Sequence, residues 1–285
     1  FINFMKCAMF GTREYYVCSS WDKQLMAFSE IEKGDFELVR SYKGHKNDIT
    51  AITEYSDGFI SGDIGGFIFE WTLETNMPKC SYELETSVEC LQVIDHFLFV
   101  GDGEGKLHVF SLPKLVLIKT IIAHEIPKPH LLLSMNYDPT NHFFYTGDSL
   151  GYLKKWKLEF SPLFVIEPVE LGPFNLKRCC LNEIRSILIL DNGNLIATCG
   201  TDKNVRIWRS DDLGYIGFLS DESQWDLTNP ASIKPDPFEI DHNHFQIKTD
   251  FLRFDSYQQR LMKSRSINRS SQITAFNSSQ IANIL

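Results

Sequence analysis

The stretch that decides the fold is residues 62–71, which read Gly-Asp-Ile-Gly-Gly-Phe-Ile-Phe-Glu-Trp. The phrase returns at residues 101–110 as Gly-Asp-Gly-Glu-Gly-Lys-Leu-His-Val-Phe and at residues 147–156 as Gly-Asp-Ser-Leu-Gly-Tyr-Leu-Lys-Lys-Trp. Each copy has Gly-Asp, two further residues, a Gly, and a strand-like run that ends in Trp or Phe. Looser copies at residues 20–28 and 201–208 keep the Asp and the closing aromatic. Such self-similarity indicates a repeat architecture.

The period of the repeat predicts the fold class. The closing aromatics are separated by 43, 39, 46 and 52 residues. A period of about 45 residues with four strands per unit is typical of a β-propeller. In the second unit, the runs 49–55, 59–61, 67–71 and 79–84 fit these four strands. The sequence therefore predicts an all-β fold with about five four-stranded blades over residues 1–219.

The turn and the aromatic of each copy have structural explanations. Glycine accepts the positive φ of a tight strand reversal, and an Asp beside it can accept hydrogen bonds from backbone amides two residues on. A large ring at the end of the third strand fills the wedge between neighbouring blades. We therefore expect the closing aromatics to be mostly buried at equivalent third-strand positions; they are Phe28, Trp71, Phe110, Trp156 and Trp208. Structural roles are also predicted for Asp22, Asp63, Asp102, Asp148 and Asp202.

The spacing of Gly44-His45 ahead of Trp71 resembles the WD-repeat β-propeller family. That family buries a hydrogen-bonded set formed by a His, a Ser or Thr, an Asp and the Trp. The resemblance implies these structural roles for His45, Ser61 and Trp71. It implies a propeller fold for residues 1–219, and says little about function because one fold hosts many functions.

The copies differ in where the Asp lies. Asp22 and Asp202 precede their closing aromatics by six residues, as the Asp of the WD-repeat family does, whereas the middle copies have Gly65, Glu104 and Leu150 there. Their Asp lies two residues earlier, so an incomplete hydrogen-bonded set is expected in those blades. His124 is a displaced match to the family's His, and the fifth copy has none.

A narrower resemblance concerns the end of the repeat region. The Gly-Asp-x-x-Gly turn, the run 213–218 and the segment 224–230, Gln-Trp-Asp-Leu-Thr-Asn-Pro, are similar to large ciliary WD-repeat proteins that carry two propellers. That resemblance implies a cytoplasmic protein of the cilium or axoneme, bound to microtubule-associated proteins. It also implies that the five blades are part of a seven-bladed ring in a longer chain, so we expect an open arc.

The C-terminal part differs in composition. Residues 220–247 form a Pro-containing linker, and residues 248–285 a Ser/Asn-rich tail. Between residues 256 and 285 there are four basic and no acidic residues. Apolar side chains at helical spacing predict an irregular or helical tail that docks on another protein and orders on binding. The alternative is that the tail wraps back over the side of the propeller itself. The predicted partner-binding residues are Phe251, Phe254, Arg260, Leu261, Lys263, Arg265, Arg269, Ile273, Phe276 and Ile281.

Composition excludes several classes of protein. Hydrophobic residues make up 43% of the chain, and no run of 18 apolar residues predicts a membrane span. The formal net charge of −9 argues against general nucleic-acid binding. No basic-then-apolar leader opens the sequence, so no secretory signal is predicted. The seven cysteines include no C-x-x-C pair, which favours buried free thiols over a zinc site.

Catalytic motifs are not evident. Phosphate-binding, Rossmann, zinc-protease and nucleophile-elbow patterns do not occur. Asp63, Asp102 and Asp148 repeat at one blade position, so they are expected on different blades rather than in one pocket. The sequence predicts a non-catalytic interaction scaffold with no cofactor, metal, nucleic-acid, membrane or evident small-molecule partner. The first alternative is a substrate receptor of a ubiquitin ligase or another soluble cytoplasmic adaptor, although the receptor family's Trp-Asp-x-Arg box is missing. The second is a propeller enzyme, which would need polar groups converging on the central channel.

Overall fold

The computed structural model describes residues 2–10, 13–20, 22–56, 58–124, 130–160, 164–169 and 176–219. The predicted linker and tail, residues 220–247 and 248–285, lie outside the described residues. The predicted partner-binding residues also lie there, so their docking stays a prediction.

The described strands form five antiparallel sheets, each with its four main strands in chain order. We number these sheets blades 1 to 5. Blade 1 contains β1 (Ile2–Phe10), β2 (Arg13–Ser20), β3 (Gln24–Glu32) and β4 (Asp35–Lys43). Blade 2 contains β5 (Ile49–Tyr55), β6 (Gly58–Asp63), β7 (Phe67–Thr72) and β8 (Cys80–Glu83). Blade 3 contains β9 (Val88–Ile94), β10 (Phe97–Asp102), β11 (Lys106–Ser111) and β12 (Val116–Ile122).

The last two blades repeat this order with one addition. Blade 4 contains β13 (Leu132–Asp138), β14 (Phe143–Asp148), β15 (Tyr152–Glu159) and β16 (Val165–Pro168). A two-residue strand, β17 (Lys177–Arg178), also pairs with β15, which the sequence did not predict. Blade 5 contains β18 (Ile184–Leu190), β19 (Leu195–Gly200), β20 (Val205–Arg209) and β21 (Tyr215–Leu219). The prediction of an all-β propeller with four-stranded blades is confirmed.

The register places the closing aromatics at equivalent positions. Trp71 is the cross-strand partner of Phe59, and Trp156 is the partner of Phe144 in the same place on the next-but-one blade. The pairing between the third and fourth strands shifts just before Phe28, and shifts at the matching point in blades 3 and 5. Such a shift is a β-bulge, which bends and twists the outer strand locally.

The closing aromatics of blades 2 to 5 each pack on the blade that precedes them in the chain. Trp71 joins Leu25 and Tyr42 of blade 1 in one apolar cluster, and Trp208 joins Tyr145 of blade 4 in another. The closing aromatics of blades 2 to 5 are fully buried. Phe28 is more exposed than the other four, although it is still mostly buried as predicted. The reason for its greater exposure is that no described blade lies on the side towards which its ring points.

Successive blades pack through their innermost strands. β1 contacts β5, β5 contacts β9, β9 contacts β13, and β13 contacts β18. Within the described part of the chain, no contact of similar extent joins β1 to β18 or to β21. The arrangement is the open arc expected from the sequence, and the size of any complete ring stays a prediction.

Candidate functional site

The turn between the second and third strands is organised by a carboxylate in blades 2, 3 and 4. In blade 2, Asp63 Oδ1 accepts the backbone N–H groups of Gly65 and Phe67 at 2.8 and 3.1 Å. Asp102 and Asp148 do the same in blades 3 and 4, each accepting N–H groups two and four residues further on. All three side chains are buried. One carboxylate oxygen therefore serves the turn and leaves the other oxygen for a partner.

A residue with positive φ closes this turn in every blade. In blade 4 it is Gly151, with φ of 89°, and a side chain there would collide with the backbone carbonyl of Cys180 in the next loop between blades. Lys23 and Lys203 hold the equivalent positions in blades 1 and 5 with φ of 66° and 67°. The two looser copies therefore make the same backbone turn without glycine. Their lysines adopt a positive φ, which is unfavourable for a residue other than glycine.

Blade 2 contains a complete hydrogen-bonded chain. Trp71 Nε1 donates to Ser61 Oγ at 2.7 Å, Ser61 Oγ lies 2.6 Å from His45 Nε2, and His45 Nδ1 lies 2.7 Å from Asp63 Oδ2. An indole N–H only donates and a carboxylate only accepts, so every group is satisfied when Ser61 donates to Nε2 and Nδ1–H donates to Asp63. The expected hydrogen-bonded set of His45, Ser61 and Trp71 is present, and Asp63 completes the set because it reaches His45 from its earlier position.

Blade 4 repeats the chain with a threonine. Trp156 Nε1 donates to Thr146 Oγ1 at 2.8 Å, and His124 Nε2 lies 2.8 Å from the same oxygen. His124 Nδ1 lies 2.9 Å from Asp148 Oδ2. His124 is fully buried although it lies eight residues before β13, whereas His45 lies four residues before β5. The displaced histidine therefore serves the same chain, and the expectation of an incomplete set here was wrong.

Blade 3 holds its turn carboxylate in a different way. The residue four positions before its first strand is Leu84, which cannot donate a hydrogen bond. Instead, His108 on β11 places its Nε2 3.0 Å from Asp102 Oδ2. The other ring nitrogen, Nδ1, lies 3.0 Å from Thr120 Oγ1 on β12. The partner of the carboxylate thus comes from the blade's own third strand, two residues before the closing Phe110.

Blade 5 combines the two arrangements. Trp208 Nε1 donates to Thr198 Oγ1 at 2.9 Å, as in blades 2 and 4. Cys180 lies four residues before the first strand, at the position that His45 holds in blade 2. Its thiol lies 3.7 Å from Thr198 Oγ1. Arg206, two residues before Trp208, donates from Nη1 to Asp202 Oδ2 at 2.6 Å. Again the third strand supplies the hydrogen-bond donor when the loop supplies no histidine.

Comparison with known proteins gives a family to this pattern. The family described as "WD domain, G-beta repeat" matches residues 177–209, the segment that contains Cys180, Thr198, Asp202, Arg206 and Trp208. Residues 177–209 therefore match a WD repeat. WD repeats indicate a protein-interaction scaffold, and this is the functional class that the match supports.

One curated relative of the chain is distant and much longer. The "WD repeat-containing protein on Y chromosome" of Anopheles gambiae is 24% identical over the aligned part, which covers 44% of this chain and 14% of the relative. A solved structure, the computationally designed Ika8 protein, is similar with a TM-score of 0.57 and 17% identity, covering 76% of this chain and 61% of that one. The second likeness concerns the fold alone.

The described residues of blade 1 show no such buried network. Asp22 is exposed and accepts only the backbone N–H of Gln24, at 3.2 Å, among the contacts that the described residues show. Cys18 stands at the place that Ser61 holds in blade 2, and Met26 at the place of His108 and Arg206. Asp22 and Phe28 are therefore the two of the twelve predicted structural residues for which no described neighbouring blade supplies a buried partner.

Sequence reasoning missed His108 and Arg206. Both lie two residues before a closing aromatic, and both occur where Leu84 or Cys180 replaces the histidine of the preceding loop. A basic residue at this position, in a copy without the loop histidine, is the signal that would have identified them.

Other buried groups of the described blades serve packing. Burial raises the pKa of the Cys180 thiol to about 12, and raises the pKa values of Cys90 and Cys179 well above the ordinary range. Burial lowers the pKa of Lys155, whose Nζ donates to the carbonyl of Ser210 at 2.6 Å and so ties blade 4 to blade 5. Within the described ranges, no group of three His, Cys, Asp or Glu side chains could hold a metal ion, and no helix has the length and apolarity to cross a membrane.

Proposed function

We propose that these blades are the docking part of a larger, non-catalytic scaffold in a ciliary or axonemal, microtubule-associated assembly. The observation that carries the scaffold part is the use of the ionisable side chains. Asp63, Asp102, Asp148 and their histidine partners are buried and bonded within their own blades. Their chemistry holds turns in place, which leaves the loops and outer strands as the surfaces for partners.

The two ends of the arc support a larger assembly. Blade 1 presents Phe28 half-buried, with Phe36 and Leu38 more than half exposed on β4 beside it. Blade 5 presents Leu188 and Leu219, each more than half exposed, on the side away from blade 4. Apolar faces of this kind are normally covered, because their burial is favourable. Further blades, packed as the five described blades pack on one another, would cover both faces.

The cellular assignment rests on the resemblance of residues 213–218 and 224–230 to large ciliary WD-repeat proteins. The length of the Anopheles gambiae relative, of which the match covers 14%, agrees with a repeat region inside a much longer scaffold. A cytoplasmic location that includes the cilium follows as part of the proposal, together with microtubule-associated partner proteins.

The test is the location of the natural full-length protein, carrying a fluorescent tag, in ciliated cells. We expect signal along the axoneme that survives detergent extraction and is released by high salt, because scaffold contacts contain charged pairs that salt screens. A diffuse, detergent-soluble signal would overturn the axonemal assignment. Recovery of the soluble protein in a stable complex of defined composition would then retain the scaffold function, and recovery as a monomer without partners would overturn that too.

A further inference from the structure

The outer strand of blade 3, β12, is an apolar strand with one edge unpaired. It pairs with β11 on one side and is the last strand of its sheet. Val116, Leu117, Ile118 and Ile122 are 56, 38, 48 and 54% exposed. Because Leu117 pairs with Phe110 and Val116 with Ser111, the exposed side chains lie on both faces of the strand. A strand edge with free amides and carbonyls is a template for another strand.

Three other outer strands, β4, β8 and β16, carry features that protect such an edge, whereas the five-residue β21 of blade 5 has neither a charged residue nor a proline. β8 has four residues and ends in Glu83, and β16 has four residues and ends in Pro168. β4 is longer but includes Asp35, Glu37 and Arg40. Short length, charges and proline are the usual means by which proteins prevent edge pairing. β12 has seven residues, no proline and a single charged side chain, Lys119, so it presents a longer weakly protected edge than β21.

The charged residues of the segment 105–124, which contains β12, are all lysines. From residue 105 to residue 124 the chain contains Lys106, Lys114 and Lys119 and no acidic residue, although the chain as a whole carries a net charge of −9. Lys106 is paired with Glu104, whereas Lys119 makes no ion pair with any described residue. β12 is therefore a cationic and apolar edge on an acidic protein.

We propose that β12 binds an extended segment of a partner protein by strand addition, and that the segment alternates apolar with acidic residues. The backbone edge supplies hydrogen bonds, the exposed isoleucine, leucine and valine side chains supply apolar contact, and Lys119 faces a carboxylate. A second copy of β12 is a poorer occupant, because it would add a second Lys119 and no acid. The proposal rests on the scaffold function and names the chemistry of one partner.

The probe is a fluorescein-labelled, acetylated peptide that alternates valine and glutamate, titrated against the 285-residue chain by fluorescence anisotropy. We expect saturable binding. Two further peptides carry N-methyl groups on alternate residues, one on each edge of the extended peptide. Strand addition uses one edge, so one of these peptides should lose binding by about tenfold or more while the other retains it. Equal loss or equal retention for both would overturn strand addition.

Charge reversal tests the position. Lys119→Glu should weaken the valine–glutamate peptide about fivefold and strengthen a valine–lysine peptide. Lys46→Glu, in the exposed loop before β5, changes the net charge equally and should leave both affinities unchanged. Equal effects of the two variants would overturn the assignment to β12. Absence of peptide binding would overturn this inference alone, because the scaffold function is tested separately by location and complex formation.

Discussion

Blades 2 and 3 hold the same turn in two ways. In blade 2 the carboxylate of Asp63 binds His45, which comes from the loop between blades. In blade 3 the carboxylate of Asp102 binds His108, which lies on the third strand of the same blade. The hydrogen bonds from the carboxylate to the turn amides are alike in both blades.

The difference teaches which part of the repeat is fixed. The turn needs an acceptor for two buried amides, and the buried carboxylate in turn needs a donor for its second oxygen. That donor can come from the loop that precedes the blade or from the third strand of the blade itself. Blade 5 shows the same freedom, with Arg206 as donor and Cys180 in the place of the loop histidine.

The largest effect is expected at the carboxylates, and it should be equal in the two blades. Asp63→Ala and Asp102→Ala each leave two turn amides and one histidine without an acceptor. We expect each to lower the free energy of unfolding by about 3 kcal/mol. Urea denaturation followed by tryptophan fluorescence measures this, and Asp22→Ala, at an exposed turn, serves as the control with little effect. A cost in one blade only would break the comparison.

A smaller effect is expected at the hydroxyl that links tryptophan to histidine. Ser61→Ala leaves both Trp71 Nε1–H and His45 Nε2 without a partner, at a cost of about 2 kcal/mol. Thr198→Val in blade 5 removes the acceptor of Trp208 alone, apart from the weak thiol contact, and should cost about 1 kcal/mol. The same urea titration compares them. Equal costs would mean that the histidine contributes nothing through this hydroxyl.

Thr120→Val should have the smallest effect on stability. Thr120 is exposed and bonds His108 Nδ1 from β12, where water can take its place. We expect a loss of about 0.5 kcal/mol or less. A loss as large as that of Ser61→Ala would show that the blade 3 network is as closed to solvent as that of blade 2.

Cys180, which replaces the loop histidine in blade 5, allows a prediction about thiol reactivity rather than stability. Burial raises the pKa of Cys180 to about 12, so its thiolate is scarce at pH 8 and iodoacetamide should react with it slowly. Cys199, which is half-buried, should be labelled first, as peptide mass spectrometry of the native protein would show. Complete labelling in urea is the control. Early labelling of Cys180 would indicate that its position in the loop before β18 is open to solvent.

The sequence predicted the blades well because their determinants are local. The Gly-Asp turns and the aromatic at a fixed offset identify three copies, and this spacing extends to Phe28 and Trp208. The partners of Asp102 and Asp202 were missed because the resemblance places a histidine only in the preceding loop, so His108 and Arg206 read as ordinary strand residues.

Exposure was harder to predict than position. Phe28 has the same offset as Trp71, yet its burial depends on a neighbouring blade and not on its own copy of the repeat. The run Val-Leu-Ile-Lys-Thr-Ile-Ile of β12 has the composition of a buried strand, and only its place at the outer edge of the sheet leaves it exposed. Both properties come from contacts between elements, which periodicity does not contain.

The central claim is that the donor to the turn carboxylate can come either from the preceding loop or from the third strand of the same blade. Moving the histidine from the loop to the third strand of blade 2 tests this claim most directly. Phe69 occupies the place that His108 holds in blade 3, and its ring centroid lies 4.7 Å from that of His45. His45→Leu should lower the free energy of unfolding by about 3 kcal/mol. Adding Phe69→His should recover roughly half of that loss, because the new imidazole can reach Asp63 as His108 reaches Asp102. If the double variant is less stable than His45→Leu alone, the two arrangements are not interchangeable and the account is contradicted.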